Sequence, residues 1–261
     1  MNYESIVIKK EGELAFLTLN RPQTNNMLNR EMFLDVTKGL KELGADDGVR
    51  LIILRGAGKH FCYGADIAQI VELDHEGCYR FFTGLGDMYE AFHDVDKVTI
   101  AMIHGYNTAG GFGIALSCDL IVAAEDTQVG ATAIKPGLFC FGTSGVLLSR
   151  IIGPKKALEM ALTGDLIDAK EAERLGIVNK AVPRDKLEET TMELARKILD
   201  MNPVSVAMGK KNFYTVADME FVKGVRHSVA NFAHLAATKQ AKEGMRAFLE
   251  KRKPNFSKFK S

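Results

Sequence analysis

Apolar residues recur along this chain with two different periods. Short unbroken apolar runs at residues 14–20, 49–55, 99–103 and 120–124 predict buried strands. Residues 6–9 pair with the first of these as a hairpin around Glu11-Gly12-Glu13. Helical spacing appears between the strands. A helix from Arg30, with Asn29 as N-cap, places Phe33, Val36, Leu40 and Leu43 on one stripe. A second helix carries Phe82, Leu85, Tyr89 and Phe92. Asp168 and Glu171 form a capping box for a short helix that Gly176 closes. From Lys186 onward strand signals vanish, and helices are expected over 186–200, 203–214, 218–234 and 238–249. Strands alternating with helices predict an α/β fold with βα connections, followed by a helical tail.

Composition narrows the class. At 46% hydrophobic and 26% charged, the 261 residues suit a globular protein with a sizeable core. The 34 basic and 33 acidic residues leave a net charge of +1, which argues against a nucleic-acid partner. The basic cluster Lys251, Arg252, Lys253, Lys258 and Lys260 reads as a solvated tail. The four cysteines, Cys62, Cys78, Cys118 and Cys140, have no CxxC spacing, so a reducing compartment is expected. Met1 to Ser5 lack the basic-then-apolar plan of a signal peptide, and no apolar run spans a bilayer. The expectation is a cytoplasmic protein without a membrane partner.

Candidate chemistry concentrates at two glycine-rich turns. The run from Thr99 to Ile103 leads into His104-Gly105-Tyr106-Asn107-Thr108-Ala109-Gly110-Gly111-Phe112-Gly113 and an apolar stretch ending at Cys118. Glycines there let a ligand approach the backbone, and a helix N-terminus offers free N–H groups. The upstream run ends in Phe61-Cys62-Tyr63-Gly64-Ala65-Asp66-Ile67. Two backbone donors meeting at one oxygen would form an oxyanion hole. Other chemistries drop out. The dinucleotide pattern fails at Leu116, and the nucleophile elbow Gly142-Thr143-Ser144-Gly145 fails at Val146. There is no phosphate loop and no HExxH, and six scattered histidines argue against a metal site.

These turns, with Asn20-Arg21-Pro22, Leu162-Thr163-Gly164-Asp165, Leu175-Gly176-Ile177-Val178 and the run Ala247 to Pro254, resemble the crotonase (enoyl-CoA hydratase/isomerase) superfamily in order along the whole chain. The resemblance implies an α/β spiral of ββα units over residues 1–200. It also implies a C-terminal helical region, 201–261, that packs on the core and on neighbouring subunits as a trimer or dimer of trimers. The implied substrate is an acyl-CoA thioester, with coenzyme A arriving as part of the substrate and no separate cofactor. Ala65 and Gly110 match the two oxyanion donors, each worth about 2.7–4 kcal/mol. Coenzyme contacts are implied at Gln23, Thr24, Asn26, Ala65, Asp66 and Ile67. Gly111, Gly113, Thr132 and Ala133 would border the acyl site, and Phe248 and Lys251 would reach a neighbour's coenzyme. Phe248 is equally placed as a core aromatic and Lys251 as a solvated cation. His104, at a strand end, reads as structural, and Asp66 as a cap for the following turn.

The chain departs from the family where the chemistry is done. Gly113 and Ala133 stand where hydratases carry two catalytic glutamates, and isomerases keep the second. One placed acid or base contributes about 10²–10⁴-fold, so losing both argues against ordinary hydration. Three readings follow from the resemblance: an enolate-stabilising enzyme such as a malonyl-type decarboxylase, a non-catalytic acyl-CoA-binding protein, or a hydratase or isomerase with relocated groups. Cys140 lies in an apolar loop, 138–143, expected over the acyl pocket. Tyr63, Asn107, Thr132, Lys135 and Ser144 are polar candidates, and Asp74, Glu76 and Asp87 are candidate relocated acids.

Overall fold

The computed structural model describes residues 3–140 and 143–259. Six strands lie side by side in one sheet: β1 (Ile6–Glu11), β2 (Leu14–Leu19), β3 (Leu51–Gly56), β4 (Val98–Ile103), β6 (Leu120–Ala124) and β9 (Lys180–Val182). Only the β1–β2 hairpin is antiparallel; the other pairings in this sheet are parallel. A second sheet holds β5 (Tyr106–Thr108), β7 (Gln128–Gly130) and β8 (Ile167–Asp168). The chain advances one position at a time along the large sheet, and β5, β7 and β8 advance similarly in the small one. The result is the expected α/β spiral.

The helices are α1 (Arg30–Gly44), α2 (Ile67–Ile70), α3 (His75–Asp94), α4 (Gly110–Ser117), α5 (Ser149–Ile152), α6 (Pro154–Thr163), α7 (Ala169–Arg174), α8 (Leu187–Leu199), α9 (Pro203–Val216), α10 (Phe221–Ala237) and α11 (Lys239–Leu249). Both faces of the large sheet are covered, which is why its strands read as continuous apolar runs rather than as an alternation. Ile52, Leu54, Ala101, Ile103, Ile121 and Ala123 face one core with α1, α3 and α4. Leu51, Ile53, Ile100, Met102, Val122 and Ala124 face the other, with α8. Among the described residues no helix is long and apolar enough to cross a membrane.

Local signals explain the helix ends. Asn29 accepts from the Met32 N–H, and Asp168 from the Glu171 N–H. After α7, the Ile177 N–H donates to the Ala172 carbonyl and the Gly176 N–H to that of Glu173, with Gly176 at φ +78°. That is a Schellman closure, which a side-chain-free residue adopts without strain. The helix expected from 218 begins instead at Phe221, because the Glu220 carboxylate accepts from the Val222 and Lys223 N–H groups. Asp66 sits at the N-cap position of α2 without making a cap bond; its carboxylate lies 3.9 Å from the Arg21 guanidinium. The α3 stripe is wider than expected: Phe81 and Met88 join Leu85, Tyr89 and Phe92 in the core, while Phe82 is half-buried.

A buried ion pair ties the C-terminal helices to the spiral. Lys210 of α9 lies 2.9 Å from the Asp119 carboxylate, which also accepts from Thr99 and the Tyr214 hydroxyl. Lys210 additionally donates to the Lys97 carbonyl. Breaking one side of a buried pair strands the other charge. Lys210→Met should therefore lower unfolding free energy by about 3–5 kcal/mol in urea titrations. Adding Asp119→Asn should cost less than the two single losses summed; strict additivity would count against coupling.

Candidate functional site

Both glycine-rich turns leave the carboxyl ends of parallel strands, the usual place for a ligand crevice in such sheets. After β3, residues 61–66 are stitched on two sides. On one side the Phe61 and Cys62 N–H groups donate to the His104 and Tyr106 carbonyls, and the Thr108 N–H donates back to Cys62. On the other, the Tyr63 N–H donates to Asn25, the Leu28 N–H to Gly64, and the Asp66 N–H to Leu28. In a trans peptide the N–H points opposite the preceding carbonyl. The Gly64 carbonyl faces Leu28, so the Ala65 N–H is turned away from Leu28.

Gly110 opens α4, where the first amides have no intrahelical acceptor. Its direction is fixed by Ala109, held at φ +48° with its own N–H bonded to the Gly130 carbonyl. Such a conformation costs a non-glycine residue about 1–3 kcal/mol. The Tyr89 hydroxyl donates to the Gly110 carbonyl at 3.1 Å. The two turns are in close contact. A Cβ on Gly110 would lie 3.4 Å from Ala65 N, and one on Gly64 would lie 3.0 Å from Gly110 N. Neither amide has an acceptor among the described residues.

Ala65 and Gly110 line a cavity of about 330 Å³ with Ile67, Phe82, Leu85, Tyr89, Thr132, Ala133, Leu138, Phe139 and Cys140, among others. No Asp, Glu, Lys, Arg or His lines it among the described residues. The relocated-acid candidates are engaged elsewhere: Asp74 caps α3, Glu76 faces Arg80, and Asp87 lies in a groove between α1 and α3. Phe82, Leu85 and Tyr89 read from sequence as a core stripe; the structure makes them cavity wall as well. The extra width of the α3 apolar arc was the available signal.

Not every expected contact gathers here. Asn26 is a correction: its side chain is fully buried, and its amide donates to the Ala57, His60 and Phe61 carbonyls. It holds the two loops together and has no surface to offer a ligand. Gln23 is exposed and Thr24 bonds the Arg21 carbonyl. Gly111 packs against Cys62, where a Cβ would come within 2.4 Å of the carbonyl oxygen, and Gly113 is buried one turn into α4. Phe248 is 83% exposed and Lys251 is also exposed, neither on this cavity.

Of the polar candidates, Tyr63 and Thr132 line the cavity; Asn107 is buried and Lys135 exposed, both off its wall. Phe141 and Gly142 of the loop lie outside the described residues, as do the Thr143 and Ser144 side chains. His104 meets the Gly58 carbonyl, and burial lowers its pKa. Burial pushes the Cys62 thiol up to about 12.

A family model described as Enoyl-CoA hydratase/isomerase matches residues 9–259. The chain belongs to this family. A candidate enoyl-CoA hydratase of Thermus thermophilus is 37% identical over 250 residues, covering 95% of this chain and 98% of its own. A crotonyl-CoA hydratase of Syntrophomonas wolfei is 33% identical over 258 residues, covering 98% and 99%. The crystal structure of an enoyl-CoA hydratase from Mycobacterium smegmatis superposes with a TM-score of 0.94 at 33% identity, over 97% of this chain and 99% of that one. The enoyl-CoA hydratase/isomerase likeness thus runs from residue 9 to residue 259 in sequence and over 97% of the chain in structure.

Two outcomes follow from this geometry. Gly64→Ala puts a methyl 2.9 Å from the Thr108 carbonyl and the Ala109 Cβ, at φ +94°. It should lower kcat/KM on whichever thioester is turned over by about 10²–10³-fold, with the far-ultraviolet circular dichroism preserved. A thiol held this far up carries almost no thiolate near neutral pH. Iodoacetamide at about pH 8 should therefore leave Cys62 unlabelled in native protein and label it after unfolding. Peptide mapping reads the difference, and native labelling would show an open loop.

Proposed function

We propose that this member of the family binds acyl-CoA thioesters and stabilises their enolates through the Ala65 and Gly110 amides, without the carboxylate pair that hydration uses. The observation that carries this reading is a pair of acceptor-free amides on the wall of a cavity with no carboxylate among its described lining residues. Two donors fixed in advance at an apolar wall would lower the energy of a developing enolate oxygen. Among the described lining residues no carboxylate or imidazole stands beside them. Burial pushes the Tyr89 phenol well above its usual range, and its proton is given to the Gly110 carbonyl.

The same proposal includes self-association. Phe213, Phe221, Val229, Phe232 and Leu249 are exposed large apolar side chains in the C-terminal region. Phe221, Val229 and Phe232 also line a groove of about 820 Å³ between α9 and α10. A patch of this kind seeks a partner surface. A second copy of the chain, as a trimer or dimer of trimers, is the occupant the family supports. Phe248 and Lys251 would then lie near a neighbour's coenzyme. Multi-angle light scattering should report a multiple of three, and Phe232→Asp should give smaller species; a monomeric wild type would sink this part.

Purified protein offered enoyl-, β,γ-enoyl-, malonyl-type and saturated acyl-CoA, followed by mass spectrometry, tests the chemistry. Enoyl hydration is expected to run at least ~10³-fold below a glutamate-bearing relative assayed in parallel. Gly113→Glu with Ala133→Glu should raise it. Hydration at the relative's rate would overturn the reading. Carbon dioxide release would assign the enolate to decarboxylation, and tight binding without turnover to a carrier role.

A further inference from the structure

Resting on the enolate stabilisation proposed above, we infer that the Tyr63 hydroxyl returns a proton to the α-carbon after a malonyl-type thioester loses carbon dioxide, with His60 as its positioning residue. A substrate that carries its own leaving carboxylate needs no base to become an enolate, but it needs one acid to finish. Tyr63 lines the cavity with Ala65 and Gly110. It belongs to the same stitched segment, two residues before the Ala65 amide. Its N–H donates to the Asn25 carbonyl, and its own carbonyl accepts from the Thr108 hydroxyl at 3.0 Å.

The surroundings of the Tyr63 hydroxyl leave its hydrogen unassigned. His60 is buried, and its Nδ1 accepts the Tyr106 N–H at 3.1 Å. The ring hydrogen therefore sits on Nε2, in the neutral form that burial favours. That nitrogen lies 3.4 Å from the Tyr63 oxygen, which acts as acceptor. Among the described residues the hydroxyl has no other partner, so its own hydrogen is left to the cavity. Burial also raises the Tyr63 pKa, which keeps that hydrogen in place through the neutral range. The imidazole is held firmly: a Cβ on Gly105 would lie 2.6 Å from its Nδ1, and the Tyr106 ring meets it edge-on at 5.3 Å. A hydrogen bond this long in a resting site tightens as charge develops on its acceptor.

The step balances with water as the final proton source. The bond from α-carbon to carboxylate breaks, carbon dioxide leaves, and the electron pair passes to the thioester oxygen held by the two amides. The pair then returns to the α-carbon and takes the Tyr63 proton. The phenolate left behind accepts from His60 Nε2–H and is reprotonated by water once product leaves.

Methylmalonyl-CoA turned over briefly in heavy water provides the test, because the deuteron marks the face that receives it. Wild type should release carbon dioxide and label one face of the propanoyl α-carbon, read by deuterium NMR of a chiral ester. Tyr63→Phe should lower kcat by at least ~10²-fold with KM nearly unchanged, and label both faces. His60→Gln, which keeps an N–H, should retain more kcat than His60→Ala. Cys140→Ser should still label one face. Labelling of both faces by wild type or by Cys140→Ser, or of one face by Tyr63→Phe, overturns the inference alone. Thioester binding without carbon dioxide release overturns it as well. Failure to bind any thioester in calorimetry overturns the proposed function with it.

Discussion

The structure turns on the double stitching of residues 61–66. This segment is not a strand of either sheet; it is gripped by 25–28 on one side and 104–108 on the other through backbone bonds. Because consecutive peptides in an extended segment point in opposite directions, bonding Gly64 and Asp66 to Leu28 dictates where the Ala65 amide faces. Nothing about the Ala65 side chain is involved. Asn26 reinforces the arrangement by gathering three carbonyls from 57–61, itself at φ +56°. A site built on main-chain direction is as precise as the hydrogen bonds that fix it, and here every neighbouring peptide is fixed.

Much of this was legible in the sequence, for identifiable reasons. Helix ends were readable wherever a single side chain decides them: Asn29, Asp168 and Gly176 each act within four residues of where they stand. The large sheet was readable because strands buried on both faces leave unbroken apolar runs. β5, β7, β8 and β9 were not read; strands of two or three residues are too short to show a period. α6 carries local signals of its own, Pro154 at its start and Gly164 at φ +65° at its end, but Ala157 and Met160 are its only buried residues, too few to show a period.

The site divided in the same way. Its two amides were named because glycine-rich turns after strands carry a backbone meaning. Its walls were missed because an apolar residue that lines a cavity is indistinguishable, in sequence, from one that fills a core. Tyr89 does both, packing in the core while its hydroxyl bonds Gly110. Asn26 fell the other way: an amide side chain in a ligand-facing loop reads as a contact, and only its sealed environment reveals a structural part. The family likeness gave the coenzyme an expected place, but the lining of the cavity belongs to this chain's own side chains. Those give a cavity with hydroxyls and a thiol and no ionised group among its described lining residues.

The crowding around Gly64 has an evolutionary corollary. Trading Ala109 for glycine would remove a methyl and relax a backbone held at φ +48°, yet it would free only one of the three atoms that a side chain at position 64 meets. The other two, the Thr108 oxygen and the Gly110 nitrogen, belong to the main chain. Descendants of this protein can therefore exchange alanine for glycine at 109, whereas 64 is a dead end for substitution whatever stands opposite. Tolerance at these adjoining positions is one-directional.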